Sequence, residues 1–67
     1  MKITLKAARV NKGLTQKEAA KLIGISLPSL AKYENGDRFP SIPTLKNMEA
    51  VYGVTYDDII FLPDSTV

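Results

Sequence analysis

Four glycines, at positions 13, 24, 36 and 53, punctuate this chain of 67 residues and leave room only for short elements between them. Glycine reaches the left-handed conformation that closes a helix at no steric cost. Two residues after Gly13, Gly24 and Gly53 stand Thr15, Ser26 and Thr55, and Ser41 follows the loop behind Gly36. Each of these hydroxyls can accept from the open amides of a new helix.

Every interval therefore reads as a helix. Leu5, Ala8 and Val10 mark the first, which ends near Lys12-Gly13. Thr15-Gln16-Lys17-Glu18 forms a capping box, so the second starts at Gln16, turns Ala19, Ala20 and Ile23 inward and stops at Gly24. Ser26 caps the third, which carries Pro28 in its first turn, where a missing amide hydrogen costs little. Leu30 and Tyr33 share its inner face and Asn35-Gly36 ends it. Ser41 caps the fourth, in which Ile42, Leu45, Met48 and Tyr52 recur at helical spacing. Thr55 with Asp57 and Asp58 suits a short fifth helix containing Ile59 and Ile60, and residues 62–67 are expected to fray. The expected fold is all-α, a compact single domain of five helices.

Composition removes most alternatives to a binding protein. The chain has no cysteine and no histidine, and so lacks disulfides, thiolate metal sites and the commonest general base. No cofactor is expected. Asp57-Asp58 at a helix start are better read as capping acids than as a metal site. No run approaches the length of a membrane span, which implies a soluble, cytoplasmic protein. A chain this short implies no attached ligand-binding or catalytic domain.

Charge is divided along the chain. Residues 1 to 46 hold nine Lys and Arg against three acids, a net +6, and the remainder holds four acids and no base, a net −4. One surface suited to a polyanion and another that avoids it would give this pattern, as would a solvated surface with chance asymmetry.

Residues 15 to 36, a capped helix, a tight turn at Gly24 and a second capped helix, have the layout of a helix-turn-helix, whose second helix enters the DNA major groove. Leu14-Thr15-Gln16-Lys17-Glu18-Ala19-Ala20, Gly24-Ile25-Ser26, Ser29-Leu30, Tyr33-Glu34-Asn35-Gly36, Pro40-Ser41 and Gly53-Val54 resemble the phage-repressor and Cro type (XRE-like) of helix-turn-helix regulator over about residues 3 to 62. The resemblance implies a lambda-repressor-like fold and sequence-specific binding of double-stranded DNA by a homodimer, with repression of transcription. Most of the matched positions are structural, so they specify fold more firmly than function. An antitoxin or phage control protein that uses the fold chiefly to bind another protein is the alternative, and a purely structural interaction module is a second.

The same resemblance assigns roles to residues. Gln16, at the start of helix two, would contact a phosphate, or is simply a good first-turn residue; Lys17 beside it is a weaker candidate. Leu27, Pro28, Ser29 and Lys32 fall at base-reading positions. Lys32 can donate to guanine, Ser29 can pair with several base edges, and Leu27 and Pro28 can touch thymine methyls. Leu27 could instead be a hydrophobic staple or a protein contact. Arg9 and Glu34 match a pair joining helices one and three. Asn35 and Arg38 could hold further phosphates, Asn35 also being a plain helix stop.

Three residues depart from the family pattern: Ala19 is small, Leu22 is apolar where polar is usual, and Glu49 stands in place of a small apolar residue. Leu22 would compensate Ala19 by turning inward, or be an exposed contact. A dimer surface should avoid the basic half, and Tyr56, Ile60, Phe61 and Leu62 offer it apolar surface; Ile60 and Leu62 could instead cover the ends of helices one and four.

Overall fold

The helix signals in the sequence are local: the second, third and fourth helices begin and end at the predicted caps, and the first ends near the expected Lys12-Gly13. A computed structural model describes residues 2–61. A two-residue strand β1 (Ile3–Thr4) leads into α1 (Leu5–Asn11), followed by α2 (Gln16–Ile23), α3 (Leu27–Asn35), α4 (Ile42–Tyr52), a 3-10 turn (Tyr56–Asp58) and strand β2 (Ile59–Ile60). Thr4, Thr15, Ser26 and Ser41 each accept, through the side chain, from an amide three residues on. At α2 the cap is reciprocal: Glu18 takes the Thr15 amide at 2.9 Å while its own amide donates to the Thr15 hydroxyl at 3.1 Å. These bonds, the backbone one first, hold the Glu18 carboxyl below its usual range.

Gly24 has φ of +88°, and a Cβ built on it would meet nothing within 4 Å. Backbone conformation alone calls for glycine there. The C-terminus of α2 is also closed by Asn47, whose Nδ2 donates to the Ile23 carbonyl at 3.2 Å. The last turn of α4 contains no basic residue. Lys12, the C-cap residue of α1, brings a cation there, its Nζ lying 3.3 Å from where a Cβ on Gly53 would be.

The expected fifth helix is not formed. Described residues contain four α-helices, and residues 56–58 make only a 3-10 turn before the chain becomes extended. Ile59 and Ile60 are β-branched, which favours an extended backbone, and β1 offers an edge to pair with. The two strands are parallel, Ile3 opposite Ile59 and Thr4 opposite Ile60. Parallel strands need a long crossover, and here everything from α1 to the 3-10 turn is that crossover. Two acids do act at Thr55 and Tyr56. Asp58 accepts from the Thr55 hydroxyl at 3.0 Å and its amide at 3.4 Å, bonds that lower its pKa. Glu49 accepts from the Tyr56 amide.

The core consists of Leu5, Ala8, Ala19, Ala20, Ile23, Leu30, Leu45, Met48, Tyr52 and Ile59. Ile42 and Val10, at core-like spacing in the sequence, are exposed. Leu22 is 60% exposed, so it does not turn inward over Ala19, which is itself fully buried. Residues 62–67, expected to fray, lie outside the described residues.

The Tyr52 hydroxyl is buried and has no hydrogen-bond partner among the described residues. Burial first, and the nearby Glu34 charge second, push its pKa up to about 12, with Arg9 opposing. A raised pKa means that the folded state favours the neutral phenol. That contribution is complete below pH 10 and declines as the pH rises toward 12. Tyr52→Phe removes an unsatisfied group without breaking a bond, and should raise stability by about 1 kcal/mol at neutral pH. Urea unfolding at pH 7 and pH 11 tests this, the variant being expected to lose less stability at the higher pH.

Candidate nucleic-acid interface

One face of α3 is spent on the core and the other is left outside. Leu30 and Glu34, four apart, are buried. Pro28, Lys32 and Asn35 are exposed and lie at four- and three-residue spacing, so they form one outward stripe. Leu27 is exposed at the first turn and Ser29 is half-buried beside it. Ser26 Oγ donates to Ser29 Oγ at 2.8 Å, which leaves the Ser29 hydroxyl hydrogen available to an outside acceptor. Among the expected base-reading residues, therefore, Lys32 and Ser29 present donors while Leu27 and Pro28 present apolar surface.

The orientation of this stripe is set by charges under it. Arg9 on α1 and Glu34 on α3 are both buried, and they meet in a two-pronged pair, Nε to Oε2 at 2.7 Å and Nη2 to Oε1 at 3.3 Å. Arg9 Nη1 also donates to the Leu14 carbonyl at 2.8 Å. Gln16 completes the group, its Nε2 donating to Glu34 Oε1 at 3.0 Å. The pair expected from the sequence is thus a network through α1, the α1–α2 turn, α2 and α3. The role of Gln16 within it was not read from sequence, because its partner lies 18 residues away.

Gln16 is half-buried and keeps a second amide hydrogen for an outside acceptor. Lys17, Asn35 and Arg38, the other expected phosphate contacts, are all exposed. Glu49, which stands in place of a small apolar residue, holds the 3-10 turn by accepting from the Tyr56 amide. The signal was faint: an acid seven residues ahead of a turn whose first amide is open.

The expected dimer residues are only partly gathered. The Phe61 ring lies 4.9 Å from Phe39 and 5.8 Å from Tyr56, centroid to centroid. Ile60 points to the opposite side of β2 from the buried Ile59, and strand alternation places Phe61 with Ile59. Leu62 lies outside the described residues. No group of three or more His, Cys, Asp or Glu able to hold a metal occurs among the described residues, and none of their helices is long and apolar enough to cross a membrane.

A capped helix, a three-residue glycine turn and a second helix with its outer stripe exposed define a helix-turn-helix protein. The helix-turn-helix family model matches residues 5–59, and the chain belongs to that family. Its relatives include the HTH-type transcriptional regulator DdrOP3 of Deinococcus deserti, 36% identical over 56 residues, covering 84% of this chain and 43% of that protein. The HTH-type transcriptional regulator ImmR of Bacillus subtilis is 39% identical over 56 residues, covering 84% of this chain and 44% of ImmR. The antitoxin PezA of Streptococcus pneumoniae is 38% identical over 56 residues, covering 84% of this chain and 35% of PezA. The chain thus spans less than half the length of these three relatives. No solved structure matches it.

Because both charges of the Arg9–Glu34 pair are out of water, removing one strands the other. Arg9→Ala or Glu34→Ala should each cost about 3–5 kcal/mol, while replacing both with well-packed apolar residues should cost far less. Core stability in a domain of this size is itself only about 3–5 kcal/mol, so the single variants should be largely unfolded at room temperature. Circular dichroism with urea titration of the three variants measures the difference.

Proposed function

We propose that this chain is a non-enzymatic transcriptional regulator that binds double-stranded DNA sequence-specifically, α3 entering the major groove. The observation that carries the reading is the exposed stripe Pro28, Lys32 and Asn35 on a helix locked from behind by Arg9, Glu34 and Gln16. A recognition helix must project side chains at base edges from a fixed angle, and a rigid inner face with an open outer face meets that need. Lys32 and Ser29 would read donors and acceptors, and Leu27 and Pro28 thymine methyls. Gln16, Lys17, Asn35 and Arg38 would position the domain on phosphates. Regulatory relatives support the reading, and repression rather than activation is the sense the phage-repressor resemblance favours.

One helix reads few base pairs, so two copies on a twofold axis would bind an approximate palindrome with half-sites about 10 base pairs apart. No small-molecule effector enters this reading. The antitoxin relative favours a second reading, in which a protein partner is the main ligand of the same fold. It predicts that DNA is bound weakly and without a preferred sequence.

Selection of bound sequences from random duplex DNA separates the two, a recovered palindrome supporting regulation. If a dimer makes about 6–10 phosphate contacts, affinity should fall roughly 10³- to 10⁵-fold between about 50 and 200 mM salt. Flat salt dependence in a fluorescence-anisotropy titration would count against the assignment.

Lys32→Ala and Leu27→Ala should change sequence preference, the lysine loss costing about 1–3 kcal/mol at one position of each half-site. Gln16→Ala should weaken binding to all sequences alike. Competition binding against singly substituted sites distinguishes the two classes.

A further inference from the structure

The outer face of α3 holds hydrogen-bond donors and apolar groups, and its acceptors are turned away or already in use. Leu27 is 43% exposed and Pro28 is exposed beside it, and neither side chain has a polar atom. Lys32, exposed one turn on from Pro28, donates and cannot accept. The one acid in α3, Glu34, is buried, and its oxygens are taken by Arg9 and Gln16. Tyr33 is packed against the core. Asn35 carries the helix's one carboxamide at the opposite end from Pro28, where it would meet phosphate.

Ser29 is the residue whose polarity is open, since a hydroxyl both donates and accepts. Ser26 settles it. The Ser29 amide donates to Ser26 Oγ at 3.2 Å, and Ser26 Oγ donates to Ser29 Oγ at 2.8 Å. Hydrogen bonds in a chain polarise one another, so each hydroxyl that accepts becomes the better donor. Ser29 thus ends a relay that runs one way, from its own amide through Ser26 to its own hydroxyl hydrogen.

We infer that α3 selects keto bases, guanine and thymine, on the strand it faces, and that Ser26 is a specificity-determining residue that holds Ser29 as a donor. The inference rests on the DNA-binding reading and narrows what that site reads. In the major groove guanine offers the acceptors N7 and O6, and thymine offers the acceptor O4 and a methyl group. Adenine sets an amino donor beside N7, and cytosine offers an amino donor alone. Against a surface of donors and apolar side chains, the order of preference is guanine and thymine, then adenine, then cytosine, because an amino group facing a donor is left unpaired. Guanine suits Lys32 and thymine suits Leu27 and Pro28.

Selection from random duplex DNA should return half-sites with guanine or thymine, on one strand, at the positions read by Ser29 and Lys32. Ser29→Ala and Lys32→Ala locate those positions by losing the preference there. Changing either keto base to cytosine should weaken binding roughly tenfold to a hundredfold. Ser26→Asp keeps an N-cap acceptor but has no hydrogen to give, so the Ser29 hydroxyl turns to donate to it and presents its lone pairs to the groove. That variant should keep native circular dichroism and shift the preference toward adenine or cytosine at the Ser29 position alone. In a Ser29→Ala background, Ser26→Asp should weaken all sequences alike by repelling phosphate, which separates the shift from simple charge repulsion. Adenine or cytosine recovered at either position of an otherwise defined palindrome overturns the inference and leaves the DNA-binding reading intact. An unchanged preference in Ser26→Asp, or in Ser29→Ala, overturns the role of Ser26. Recovery of no preferred sequence removes the DNA-binding reading and this one with it.

Discussion

The buried pair of Arg9 and Glu34 is the interaction on which the rest of this structure turns. Two charges removed from water carry a large desolvation penalty, and they are tolerated only where nearly every polar atom finds a partner. Here the guanidinium spends three nitrogens on Glu34 and the Leu14 carbonyl, and the carboxylate receives Arg9 and Gln16. An apolar cluster of the same volume could provide comparable stability, but apolar contacts are non-directional and permit rotation of one helix over another. Hydrogen bonds with fixed directions tie α1, the α1–α2 turn and the N-terminus of α2 to the inner face of α3. The outer stripe of α3 is thereby set relative to the N-terminus of α2 by chemistry that tolerates little displacement.

Three of the ten core side chains are small, and all three lie on α1 and α2. Ala8, Ala19 and Ala20 are all buried. Helix spacing depends on the side chains at the contact, and alanines allow close approach. Close approach lets Gln16 on α2 reach Glu34 on α3 through 3.0 Å. A larger residue in place of Ala19, usual in the resembling family, would fill space that is already closed, since Ala19 is fully buried while Leu22 stays outside.

Legibility in the sequence followed range of interaction. Caps at Thr15, Ser26 and Ser41 and glycine stops at 24, 36 and 53 act within a few residues, and they located α2, α3 and α4 correctly. The fifth helix failed because its signals were mixed. Thr55, Asp57 and Asp58 are good helix-start residues, yet the two isoleucines that follow had a strand partner 56 residues away in Ile3 and Thr4, which no local pattern announces. Gln16 and Glu49 were hidden for the same reason. Each has one neighbour that appears only once the helices are packed. The resemblance carried Arg9 and Glu34, which spacing alone would have left as an isolated base and acid. The outward direction of Pro28, Lys32 and Asn35 required knowing that Leu30 and Glu34 face inward.

A small core has a further consequence for where the large side chains go. Of the five aromatic residues, Tyr52 is in the core, Tyr33 and Phe61 are packed against its edge, and Phe39 and Tyr56 are exposed. The buried cluster numbers only ten residues, one of them aromatic, so most of the ring surface lies outside it. Apolar bulk is therefore displaced to the end of the molecule formed by the α3–α4 loop, the 3-10 turn and β2. The parallel strand pair fixes Ile59 and so places Phe61 beside Phe39 and Tyr56. The packing that leaves the outer stripe of α3 in solvent and the apolar surface at the far end of the molecule are thus two consequences of one small core.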